Sequence, residues 1–156
     1  RFAACATHVQ NRQGELSQAA AAAAAEDALD KALAGCQASI EFVNGEAMVD
    51  IGSGHLHCYG DMTAGPDAPL VVLLHYYGRG VSANMWASFF EPLKSAGICY
   101  LAPDMPGHGA SSGSCSAKPE DYTASGGPVE AVLKLLDACG RKRAVVAGYD
   151  WGGGIA

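Results

Sequence analysis

Long apolar runs are missing from this chain, and so are clusters of basic residues. Its apolar stretches are interrupted well short of the roughly 18 residues that a membrane-crossing helix needs, so no membrane span is expected. Lys and Arg together number 10 against 16 Asp and Glu, a formal net charge of −6. With no basic tract to grip phosphates, nucleic acid and anionic lipid surfaces are disfavoured as partners. Six cysteines (Cys5, Cys36, Cys58, Cys99, Cys115, Cys139) are scattered without a C-x-x-C or any paired-ligand spacing. They read as reduced, small core residues, and neither a zinc site nor a disulfide framework is expected. No G-x-G-x-x-G follows a strand and no P-loop is present, so no nucleotide is expected, nor any other cofactor.

What remains is a chain of 156 residues with 49% hydrophobic content, enough for one core and too little for two full domains. Its first part differs from the rest. Seven consecutive alanines, Ala19 to Ala25, lead into Glu26-Asp27-Ala28-Leu29-Asp30-Lys31-Ala32-Leu33 and a Gly35 stop. High helix propensity, the Ser17 N-cap candidate and the Asp27/Lys31 pair predict a helix over 17–34. Its apolar face is narrow, which suits a solvated extension over 1–37 better than a helix docked on a partner. The chain opens on Arg1 rather than methionine. That fits processing, including removal of an organelle-targeting peptide, or a sequence forming part of a longer one; no compartment is specified.

From 38 onward the pattern becomes that of a mixed α/β domain. Ala38 to Val43 and Ala47 to Ile51 flank Asn44-Gly45, a strong hairpin signal. His55 to Tyr59 alternates as a further strand. His55 and His57 share one face of it and, lacking a third ligand, read as surface residues rather than a metal site. Strands are then expected over Leu70–His75 and Tyr100–Asp104, with helices over Asn84–Leu93 and Pro128–Asp137. A last strand, Arg143 to Ala147, is short, apolar and rich in small and β-branched residues, as for a strand buried on both faces. Antiparallel edge strands beside a parallel core follow from this order.

The chemistry concentrates at Gly148-Tyr149-Asp150-Trp151-Gly152-Gly153. Gly148 and Gly152 have the spacing of a strand-to-helix turn that thrusts its central residue outward, where any Cβ at the flanks would collide with backbone. The central residue is Asp150. A carboxylate is already ionised at neutral pH and needs no base in order to attack carbon and form an ester. Its substrates would carry a leaving group or a strained ring. The N–H groups at the start of the following helix stand ready to stabilise negative charge.

From Pro69 to Ala156 the chain resembles the N-terminal half of an α/β-hydrolase. Leu70 to His75 resembles the central strand and its His-Gly turn, Asn84-Met85-Trp86 with Phe89-Phe90 and Leu93 the following helix, and Asp104-Met105-Pro106-Gly107-His108-Gly109-Ala110-Ser111 the D-x-P-G-x-G-x-S loop. Gly-Tyr-Asp-Trp-Gly-Gly resembles the aspartate elbow of epoxide hydrolases and haloalkane or haloacetate dehalogenases. The resemblance implies a partial α/β-hydrolase fold over 38–156 with Asp150 as nucleophile. It implies one oxyanion donor in the Trp151 N–H and a second in Tyr76 or Tyr77, with His75 and Trp151 lining the substrate site. Tyr76 replaces the glycine that the family carries after the histidine, so a distorted or rebuilt oxyanion turn is expected. Tyr149 reads as a packing residue, and Asp104 and His108, though spaced like an acid/base pair, belong to a loop that is structural in the family.

No histidine follows Asp150 in the sequence, whereas the family places both the acid and the water-activating histidine after the elbow. The resemblance therefore implies a hydrolase of small epoxides or halides that does not turn over as this chain alone. The alternative is a catalytically dead, pseudoenzyme-like subunit of a larger assembly, with a protein partner covering the open sheet edge beside the elbow strand.

Overall fold

The computed structural model describes residues 40–114 and 116–156. The predicted helix over 17–34 lies outside them. Five strands form one mixed sheet in the order β1-β2-β4-β3-β5: β1 (Glu46–Asp50), β2 (His55–Asp61), β3 (Leu70–Leu74), β4 (Cys99–Pro103) and β5 (Val145–Gly148). β1 pairs antiparallel with β2 and β2 antiparallel with β4, while β3 runs parallel to both β4 and β5. The expected antiparallel edge beside a parallel core is what forms.

β3 carries almost no polar atoms and lies between β4 and β5, with Val72 and Leu74 fully buried. A short 3-10 turn, Ala83–Trp86, leads into α1 (Ala87–Ser95), which is expected from the aromatic pattern and packs Phe90 and Leu93 over Leu73 and Ala102. On the other face, α2 (Pro128–Ala138) buries Pro128, Ala131, Val132 and Leu135, the i, i+3, i+4, i+7 stripe of an amphipathic helix. Pro128 sits in the first turn, where its missing N–H costs nothing. α3 (Trp151–Ile155) follows β5 directly. Arg141 anchors the connection before β3 by donating to the carbonyls of Gly65 (2.6 Å), Pro66 and Ala68 (3.0 Å).

Two expectations are corrected. Asn44-Gly45 does make a tight turn, with φ of 55° and 81°, and Val43 and Glu46 exchange backbone hydrogen bonds of 2.9 and 3.1 Å. Yet the described part of its first arm, Ile40 to Val43, contributes only the single Val43/Glu46 bridge. Phe42 turns inward instead: its ring fills the space over Gly60, where an added Cβ would lie 2.6 Å from the Phe42 Cζ, and the arm packs on the core rather than pairing. The last strand is not buried on both faces. β5 is the outer strand of the sheet, and Val145 is 63% exposed.

The cysteines that are described behave as reduced core residues. Cys58 and Cys99 are buried and unbridged, and burial raises the Cys58 thiol pKa well above its ordinary value and that of Cys139 to about 11. Neither thiol is a nucleophile at neutral pH.

Candidate active site

The turn between β5 and α3 places Asp150 at φ 54°, ψ −117°, a region that non-glycine residues rarely occupy. Its neighbours impose this. A Cβ on Gly148 would run into the backbone of Gly152 and 2.5 Å from the Gly153 nitrogen, and one on Gly152 would lie 2.7 Å from the His75 carbonyl oxygen and against that of Leu74. The start of α3 is thus pressed onto the end of β3 with no room for side chains. Asp150, at the apex, is exposed. Tyr149 donates its N–H to the Leu74 carbonyl at 3.1 Å, extending the ladder to the turn itself.

His75, at the end of β3, is fully buried, and both ring nitrogens are occupied. Nδ1 donates to the Tyr76 carbonyl at 2.7 Å, and Nε2 accepts the Met105 N–H at 2.9 Å. A carbonyl can only accept and an N–H only donate, so the ring is neutral with its proton on Nδ1. Burial is the main cause that holds its pKa below the ordinary value, with the nearby His108 adding to it. A ring without surface or a free nitrogen cannot contact substrate; His75 bonds the oxyanion turn to the loop after β4.

Tyr76, in the position where the family has glycine, does not take a positive φ; among the described non-glycine residues only Asn44 and Asp150 do. The turn therefore accepts a side chain there without backbone strain, and the expected distortion is absent. Tyr76 and Tyr77 are 37% and 42% exposed, and Tyr149, expected to pack, is 60% exposed and meets Tyr76 edge to face at 6.1 Å. Trp151 is 5% exposed, ringed by Tyr77 and His108 (centroids 5.5 Å each), Tyr122 (6.1 Å) and His75 (6.2 Å). Its Nε1 is buried with no partner among the described residues.

Asp104 and His108 do not pair. The Asp104 carboxylate, 1% exposed, accepts from His57 Nδ1 (2.8 Å), the Ala83 N–H (2.5 Å) and the Ala110 N–H (3.0 Å), while His108 donates from Nδ1 to the Pro106 carbonyl at 3.2 Å and packs beside Trp151. His57 is accordingly half-buried and bonded rather than a free surface residue. His108 is the site neighbour that sequence reasoning passed over. Among the described residues no cluster of His, Cys, Asp and Glu could hold a metal ion, and no helix is long and apolar enough to cross a membrane.

A family model described as "Alpha/beta hydrolase family" matches residues 71–156, more than half of the sequence. The chain belongs to the α/β-hydrolase family. Epoxide hydrolase A of Mycobacterium tuberculosis is 38% identical over 90 residues, 56% of this α/β-hydrolase chain and 26% of the relative. The AB hydrolase superfamily protein YfhM of Bacillus subtilis is 33% identical over 97 residues, 58% and 30% of the two chains. Among solved structures, epoxide hydrolase A from Mycobacterium thermoresistibile is similar with a TM-score of 0.57 and 30% identity over 69% of this chain and 31% of that one. An epoxide hydrolase from an endophytic Streptomyces gives 0.55 and 27%, covering 69% and 30%. The chain thus spans about a third or less of the length of these relatives.

Proposed function

We propose that this stretch supplies the nucleophile of an epoxide-hydrolase-like enzyme, with Asp150 attacking a ring carbon of a small epoxide. A carboxylate oxygen forms the new C–O bond as the ring C–O bond breaks, and the released oxygen takes up a proton to leave a hydroxyalkyl ester on Asp150. The backbone of Asp150 carries this reading: a carboxylate held at a strained, exposed apex, where folding alone would favour glycine, is what an attacking group requires. The Trp151 N–H, at the first position of α3 where no intrahelical acceptor exists, supplies one donor to the carboxylate and to the oxyanion formed when water attacks the ester.

Hydrolysis of that ester needs a base, and the described histidines offer none beside Asp150. His75 has both nitrogens bonded, His57 is bound to Asp104, and His55 lies at the start of β2 on the far side of β4. Ester formation without turnover is the expected behaviour of these 156 residues alone.

The unpartnered Trp151 Nε1 favours a second substrate class, haloalkanes, because a buried indole N–H facing the nucleophile turn can accept a departing halide. The exposed β5 edge, with Val145 at 63%, is the observation that favours the alternative of a catalytically silent subunit covered by a partner. Incubation with a slow aryl epoxide or a haloalkane, followed by peptide mass spectrometry, separates these readings. A stoichiometric adduct on Asp150 that is absent from Asp150→Asn supports the nucleophile; an unlabelled folded chain overturns it in favour of the silent subunit.

A further inference from the structure

We propose that His75 is a positioning residue that selects the Tyr77 N–H, rather than that of Tyr76, as the second backbone donor at Asp150. The inference rests on the reading of Asp150 as nucleophile. In a trans peptide the C=O and N–H point in opposite directions, so fixing one aims the other. The His75 carbonyl lies against Gly152, 2.7 Å from where a Cβ would stand. The N–H on that same peptide belongs to Tyr76 and therefore points away from α3. The next peptide is fixed by the His75 ring, whose Nδ1–H holds the Tyr76 carbonyl at 2.7 Å. Its N–H, that of Tyr77, points away from the buried imidazole, and it has no acceptor among the described residues.

The ring can do this only in one state. The Met105 N–H fills Nε2 at 2.9 Å and so forces the proton onto Nδ1, where it meets the Tyr76 carbonyl. Three further contacts brace the turn from the same side: Asp104 accepts from the Ala83 N–H, Gly109 donates to the Val81 carbonyl at 3.2 Å, and the His108 ring packs edge-on against His75 at 4.9 Å. Where the family has a glycine at 76, this chain has a tyrosine at negative φ, and the imidazole clamp is what fixes the orientation of the following peptide.

Two measurements that need no turnover test this. Long-range 1H–15N spectra of the imidazole should show His75 as the Nδ1–H tautomer; an Nε2–H ring would overturn the proposal. Amide spectra should show the Tyr77 and Trp151 signals moving together on Asp150→Asn, with Tyr76 unmoved. In a His75→Leu background the Tyr77 response should be lost and the Trp151 response kept, and His75→Asn, which can still donate to the Tyr76 carbonyl, should restore most of it. A Tyr76 response in place of Tyr77, or a Tyr77 response indifferent to His75, would overturn the assignment; if His75→Leu does not fold, the tautomer and the wild-type response decide. Failure of Asp150 to form an ester would count against the nucleophile and leave these amide readings unchanged, so the two ideas fail separately.

Discussion

Asp104 Oδ2 receives the Nδ1 proton of His57 across 2.8 Å, tying the end of β4 to the middle of β2 beneath the oxyanion turn. The same carboxylate accepts two backbone N–H groups, from Ala83 and Ala110, so three donors depend on one buried side chain. Asp104→Ala strands all three and is expected to cost about 3–5 kcal/mol in urea unfolding. Asp104→Asn keeps an acceptor oxygen and should cost less, about 1–3 kcal/mol. Equal losses for the two would show that packing volume, not acceptor capacity, is what Asp104 supplies.

The glycines of the elbow are separable by what surrounds them. Gly152→Ala pushes a methyl group into the His75 and Leu74 carbonyls, which are fixed by the β3 and β5 ladders, and a loss of about 3 kcal/mol or more is expected. Gly153→Ala, one residue on, meets the Gly148 carbonyl oxygen at 3.4 Å, an ordinary contact. In a helix it should gain about 0.5–1 kcal/mol from propensity. Thermal midpoints moving in opposite directions for this pair would confirm the packing of α3 on β3.

Strain at the apex predicts a trade between stability and chemistry. A non-glycine residue at φ 54°, ψ −117° bears about 1–3 kcal/mol of backbone cost, against about 1 kcal/mol for the extra unfolded-state freedom of glycine. Asp150→Gly should therefore leave the chain equally or more stable, by up to about 2 kcal/mol, while abolishing ester formation. A substantial destabilisation would mean that the carboxylate is held by stabilising contacts rather than strained.

Acid should weaken the fold through His75. Its folded pKa lies below the ordinary 6.5, chiefly because of burial, with the facing His108 opposing the charged form and Asp104 favouring it. The unfolded chain then binds the proton more readily, so stability is full above pH 6.5 and falls as pH drops below that value towards the folded pKa. Protonation also places an N–H on Nε2 opposite the Met105 N–H. A denaturation series across this range should show a loss that is missing in His75→Asn; an unchanged slope in that variant would assign the acid limb to other groups.

The elbow was legible in the sequence because its glycine spacing answers a steric demand that acts within five residues. The parallel core was legible for a similar reason, since β3 and β4 are almost wholly apolar. The His57–Asp104 bond was not, because its partners stand 47 residues apart and meet only through the β2/β4 register. At Asn44-Gly45 the local signal was right and its extension wrong: the turn formed, but Phe42 found a better place over Gly60 than in a ladder. The exposure of β5 follows from its place at the end of the strand order, which its own apolar residues do not encode.

Because Tyr76 sits at an ordinary backbone angle, position 76 is free of the conformational requirement that reserves a site for glycine. Bulk can be added there, half exposed beside Tyr149 and Asp150, without bending the chain. The rim of the nucleophile can thus be reshaped by single side-chain exchanges, from open to crowded or from aromatic to polar, while the backbone that performs the chemistry stays where β3 leaves it.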